Sequence, residues 1–171
     1  LRWATLFCSF IVSYFLREHP IALTIYLVLF SLLIVGYLLV LPRYLDTVEA
    51  RLRAQLLTHL EDDKIAEATQ LVATQRILRS LGRRYVTDNA LGIITLSRGD
   101  YDEAHRHFQS ALTQAPYGER MSIELNLANV EVALDRSDLA IDRCRSLLTR
   151  YPHAGLVRER MARLMLEEMD D

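Results

Sequence analysis

Apolar positions crowd into the first quarter of the chain and become periodic after it. Ile21 to Leu41 reads IALTIYLVLFSLLIVGYLLVL without a formal charge. At about 1.5 Å per residue such a helix measures roughly 31 Å, enough for a hydrocarbon core. The earlier run from Trp3 to Leu16 is also uncharged, but it would measure only about 21 Å. Arg17, Glu18, His19 and Pro20 join the two runs. A signal peptide would need a basic start and a small-residue cleavage site, not a direct lead into a second apolar helix. The pattern predicts a transmembrane helical hairpin over 1–42, with helices at 3–16 and 21–41. The first is thin, tilted, missing its beginning, or a truncated or interfacial segment. Pro42 and Arg43 should close the second, because proline disfavours helix in the residue before it and arginine anchors at headgroups.

From residue 43 onward charges are frequent, and apolar residues recur at helical spacing, as at Leu52, Leu56 and Leu57. Residues 110–116 read SALTQAP and residues 146–152 read SLLTRYP, an offset of 36. At that offset Ala104 meets Ala140, Asp102 meets Asp138, Leu91 meets Leu127 and Phe108 meets Cys144. Self-similarity at such a period is the mark of stacked helical repeats. Upstream, Glu67 and Ala68 answer Glu103 and Ala104, although no glycine or proline closes that unit cleanly. Gly99 and Asp100 should supply the central turn, glycine by tolerating positive φ and aspartate by capping the next helix. Gly155 opens a last helix, Leu156 to Met169, whose charged outer face suits the cap that a repeat array needs.

The unit over residues 88–116 resembles the tetratricopeptide (TPR) pattern, W-x2-L-G-x2-Y followed by A-x3-F and P in a helix-turn-helix of about 34 residues. Leu91 and Gly92 occupy the close-packing pair of the first helix, Ala104 and Phe108 the small and large positions of the second, and Pro116 the stop. Asp88 and Thr95 replace the usual aromatics. The next unit keeps Leu127, Ala128, Ala140 and Pro152 and puts Cys144 at the aromatic position. The resemblance spans about residues 46–169. It implies an all-α fold, in which the hairpin is followed over 43–171 by a TPR-like α-solenoid of antiparallel helix pairs with a C-terminal capping helix.

That resemblance also implies protein binding rather than catalysis. The positions lining a TPR concave surface correspond here to Arg53, Leu57, Asn89, Ile93, Leu125, Asn129, Met161 and Met165. Asn129 stands where some members hold a carboxylate-binding asparagine, but Ile93, Met161 and Met165 replace its basic partners. A C-terminal carboxylate ligand is therefore disfavoured. A groove of Leu, Ile and Met with isolated Asn suits an amphipathic helix or an extended apolar peptide. The alternative is that several of these residues pack against the next repeat.

Charge and candidate chemistry narrow the partners further. Lys+Arg of 20 against Asp+Glu of 22 leaves a net charge of -2, without the basic face of a nucleic-acid module. Lys64 is the only lysine, a bias pointing to a GC-rich bacterial genome. Arg2, Arg43, Arg51 and Arg53 lie outside the apolar runs, while the connecting turn sets Arg17 beside Glu18. The positive-inside rule then puts the repeat domain on the cytoplasmic side of a bacterial inner membrane. His105 and His107 would point about 200° apart on a helix, and His19, His59 and His153 have no companion at ligand spacing, so no metal is expected. Cys8 and Cys144 imply no disulfide framework, and Cys144 reads as a small core hydrophobe. With no HExxH motif, phosphate loop or G-x-S-x-G elbow, neither an enzyme nor a cofactor is expected. Arg83 and Arg84 beside Tyr85 are two charges, too few by themselves for a lipid site. The acidic end, Glu167, Glu168, Asp170 and Asp171, reads as a solvated tail.

The expected function is a membrane-anchored adaptor or scaffold that recruits protein partners, through its groove and its transmembrane helices, to a membrane complex in the lipid bilayer. Two alternatives stay open: a permanent structural subunit of a larger membrane assembly, or the regulatory end of a membrane enzyme, the latter raised by Leu1 in place of Met.

Overall fold

A computed structural model describes Tyr14 and residues 19–170, with side chains described as far as Leu166. Among the described residues every regular element is a helix: α1 Pro20–Glu61, α2 Ile65–Ala73, α3 Arg76–Ser80, α4 Arg84–Ser97, α5 Tyr101–Gln114, α6 Tyr117–Ala133, α7 Ser137–Arg150 and α8 Gly155–Asp170. The hairpin's first helix, expected over 3–16, lies outside the described residues apart from Tyr14.

The main apolar stretch is helical, but it does not end where the proline suggests. α1 runs through Pro42 for 42 residues. A proline inside a helix removes one backbone donor and crowds the preceding turn. Here that local cost is outweighed by runs of good helix formers on both sides, such as Leu38 to Leu41 and Glu49 to Leu57. The domain boundary expected at 42/43 thus falls inside α1, and the chain divides into the compact units Leu1–Val48 and Glu49–Asp171. In the first unit large apolar side chains face outward, Leu32, Leu33 and Val40 being 63%, 68% and 64% exposed. Tyr26 and Phe30 stack with ring centres 5.9 Å apart. α1 has the length and composition to cross a membrane, a test that a signal sequence near the N-terminus also meets.

Three equivalent turns organise the second unit. Asp63, Gly99 and Asp135 all take left-handed backbone, with φ of 58°, 79° and 59°, and they stand 36 residues apart. After each, the next N–H returns to the carbonyl five positions earlier: Lys64 to His59 at 2.8 Å, Asp100 to Thr95 at 2.9 Å and Arg136 to Glu131 at 2.9 Å. This closure satisfies the orphan carbonyls of a helix end and stops the helix. The upstream unit therefore turns at an aspartate, whose short side chain tolerates left-handed backbone better than most. A glycine does close it, contrary to expectation: Gly82 has φ 84° and is followed by the same closure, Arg83 to Leu78 at 2.9 Å. The aspartate expected to cap α5 does not: Asp100 makes no side-chain capping bond, because the backbone turn already sets the start of the helix.

Burial follows the same period. Ala104, Phe108 and Ala111, and 36 residues later Ala140, Cys144 and Leu147, are all 0% exposed. Leu127 and Ala128 are buried and Leu91 is half-buried. A Cβ added to Gly92 would lie 2.6 Å from the Phe108 ring, so only glycine lets α4 and α5 approach this closely. Ala115 is extended, with ψ 137°, as a residue before proline prefers, and Pro116 follows it at the start of α6. Pro152 is exposed in the turn after α7.

Polar clasps repeat too. The buried Asp88 accepts hydrogen bonds from Ser110 at 2.7 Å and Gln114 at 3.2 Å. At the same phase of the next pair Glu124 accepts from Arg150 at 2.9 Å, and Glu131 from Arg143 at 2.9 Å. Partners advance along one helix as they retreat along the other, so α4 and α5, and α6 and α7, pack antiparallel. In the upstream repeat of the second unit the equivalents of Asp88 and Gln114 are Leu52 and Leu78, both buried.

Two substitutions separate packing from backbone conformation. Gly92→Ala should lower stability by about 1–3 kcal/mol through overpacking, and a smaller ring-site residue, Phe108→Leu, should recover part of that loss. Gly99→Ala should lower it by about 1–2 kcal/mol through backbone strain, and Phe108→Leu should not rescue it. Urea melts followed by circular dichroism read both; a wild-type midpoint for Gly92→Ala would show that the ring moves aside freely.

Candidate functional site

Helices of the second unit frame a groove of about 220 Å³. α1 supplies Leu52, Arg53, Leu56 and Leu57, α4 supplies Tyr85, Val86, Asn89, Ala90 and Ile93, and α6 supplies Glu119, Ser122 and Ile123. Helical spacing places them: Leu52 with Leu56, and Tyr85 with Asn89 and Ile93, recur every four residues and so share a face. The floor is apolar, with Leu52, Leu56, Val86, Ala90 and Ile123 buried, while Leu57 is 58% exposed.

A charged rim borders this floor. Arg53 pairs with Glu49 and donates to Glu119 Oε2 at 2.8 Å. The other oxygen of Glu49 accepts from Arg83 at 2.9 Å. Glu49 is buried, and a carboxylate there needs these two guanidinium groups to offset its lost hydration. Asn126 Nδ2 donates to Asn89 Oδ1 at 3.1 Å and links α6 to α4 beside the groove. Tyr85 is only 6% exposed. Burial pushes its phenol up to about 12, and the negative charges of Glu49 and Glu119 add to the shift.

Four of the eight residues anticipated on a concave surface meet here: Arg53, Leu57, Asn89 and Ile93. The other four lie elsewhere. Leu125 is buried in the C-terminal core with Ala128, Ala140 and Cys144, and Met161 packs against that core. Asn129 is half-buried and Met165 is 39% exposed, and neither lines the groove. For Leu125 and Met161 the physical reason is that α8 inserts Val157 and Leu164 into the core of α6 and α7, which takes up both side chains. Sequence reasoning missed Tyr85, Glu119, Ser122, Ile123 and Asn126. Tyr85 had a usable signal, its four-residue spacing to Asn89; Glu119 had none, since it reaches Arg53 across 66 residues.

A second hollow, of about 410 Å³, is lined by His105, Gln109, Glu124, Glu131, Arg136, Leu139, Arg143 and Ser146. Its two buried carboxylates are already held by arginines. Cys144 is fully buried, and burial raises its thiol, which favours the unreactive protonated form. Among the described residues no three His, Cys, Asp or Glu side chains gather where they could hold a metal ion. Compared with known proteins, the sequence matches no family profile and no curated relative.

Because the fold raises the Tyr85 pKa, its contribution to stability is complete below about pH 10 and is lost as pH rises through about 12. Subtracting the ultraviolet titration of Tyr85→Phe from that of the wild type should leave one phenol titrating near 12. A difference curve centred at about 10 would mean that the phenol is in water.

Proposed function

We propose that the protein is a membrane-anchored adaptor, in which α1 fixes the chain in a bilayer and a TPR-like array of helix pairs binds an apolar segment of a partner protein. The observation that carries this reading is the groove, where the exposed Leu57 and the half-buried Ile93 border a buried apolar floor. Small-molecule pockets usually measure about 300–1,000 Å³, and this one, about 220 Å³, is smaller. It suits one anchoring side chain of a longer ligand, such as the apolar edge of a helix lying across α1 and α4. Asn89 offers a polar group beside the apolar floor, and recognition of this kind needs no covalent chemistry. Three turns 36 residues apart, with small and large core residues in the same phase, support the repeat reading. The 21 uncharged residues of Ile21 to Leu41 support the anchor, and the arginines following them support a cytoplasmic repeat domain.

Two measurements test the two halves of this proposal. The chain should stay with membranes after carbonate extraction; release of most intact chain would sink the anchor. Ile93→Glu or Leu57→Glu should weaken capture of the partner about tenfold or more, since a desolvated carboxylate in an apolar contact costs well over 1.4 kcal/mol. Helicity and membrane retention should stay at wild-type levels. The readout is quantitative mass spectrometry of proteins co-purified in mild detergent with each variant and the wild type. If the groove variants keep every partner, the interaction lies on another surface.

A further inference from the structure

Between Glu67 and Asp88 the chain carries no acidic residue, yet it holds four arginines, Arg76, Arg79, Arg83 and Arg84. The protein as a whole has a net charge of -2, so this stretch is a local reversal. α3 lies at its centre. Leu78 is fully buried and fixes the roll of this short helix. As a result Arg76 and Arg79 are exposed and have no carboxylate partner among the described residues, while Ile77 and Leu81 are 45% and 42% exposed. Basic side chains interleaved with large apolar ones in water are poorly matched to solvent. They are well matched to a lipid surface, where guanidinium groups meet phosphates and apolar side chains enter the headgroup boundary.

We propose that the segment from Arg76 to Arg84 is a second membrane contact, which binds anionic lipid headgroups. The proposal rests on the reading of α1 as an anchor. Arg83 is bonded to Glu49, and Glu49 follows Leu41 by eight residues. Eight residues reach at most about 28 Å even when extended, so the chain between the uncharged stretch and the ion pair that holds the segment is short. Each arginine near an anionic surface contributes roughly fivefold to partitioning. Arg84 lies 3.6 Å from Asp88, which leaves Arg76 and Arg79 to meet the lipid. Two such residues would not hold a free protein, but a segment on an anchored chain binds at high effective concentration. An acidic protein partner is the competing occupant; the exposed Ile77 and Leu81 favour lipid, because they gain nothing from a purely acidic surface.

The test uses the full chain in nanodiscs of phosphatidylcholine with or without phosphatidylglycerol, read by hydrogen exchange. Amides of residues 76–84 should exchange about fivefold more slowly or better in the anionic discs, and high salt should remove the difference. Arg76→Glu with Arg79→Glu should abolish it while leaving exchange in α4 and α5 unchanged. Equal exchange in both discs, or protection that survives the double variant, overturns the proposal. Equal protection by soluble polyglutamate in neutral discs overturns the lipid assignment in favour of an acidic protein. Flotation with neutral vesicles in high salt reports separately on the anchor: a chain that fails to float loses both readings, and one that floats without lipid-dependent protection loses only this one.

Discussion

A left-handed residue every 36 positions is the constraint on which the second unit depends. Once Asp63, Gly99 and Asp135 reverse the chain through the same closure, the residues facing each other across each helix pair are decided. That register puts Phe108 on Gly92 and Arg150 on Glu124. A slip of one residue would turn the contact face by about 100°, leaving a phenyl ring in water and a carboxylate in the core. Glycine meets the backbone demand without strain at Gly99. Aspartate at the other two sites accepts some strain, and the packing of the helices behind it must hold the turn in place.

The buried acids show how two neighbouring units solve one problem with different chemistry. Glu124 and Glu131 lie two helical turns apart and meet Arg150 and Arg143, which are spaced by the same distance in the opposite direction. Buried ion pairs often add little net stability over well-packed apolar residues, because desolvation consumes the Coulombic gain. Leu52 and Leu78 at the positions of Asp88 and Gln114 are that apolar replacement, present within the same chain. What the pairs contribute is selectivity: a misregistered α7 would leave two carboxylates buried without partners, which is strongly unfavourable.

The length of the apolar stretch and the period of 36 are legible in the sequence because each depends on residue type alone. Ala104, Phe108 and Ala140 announce themselves by size at matching positions. The upstream turn is hidden because Asp63 adopts the conformation of Gly99 without being glycine, so the backbone repeats where the letters do not. Pro42 misleads for the reverse reason, a residue that usually ends helices standing inside one. The groove is half legible. Periodicity finds the exposed faces of α1 and α4, but whether a face stays open depends on what covers it. Leu125 and Met161 have the spacing of groove residues and pack instead in the core where α8 meets α6 and α7, and Glu119 arrives from a distant helix to pair with Arg53.

One wall of the groove has a further consequence under the proposed reading. Leu52, Arg53, Leu56 and Leu57 belong to α1, the helix that also carries the uncharged stretch. Within the second unit the rim holds the end of α1 that carries this wall, since Arg53 joins α1 to α6 through Glu119, and Glu49 joins α1 to Arg83 at the start of α4. Rotation of α1 about its own axis would break both ion pairs and remove Leu52 and Leu56 from the floor. The groove therefore exists in one roll of α1, and a partner that fills it favours that roll over all others by the free energy of its own binding.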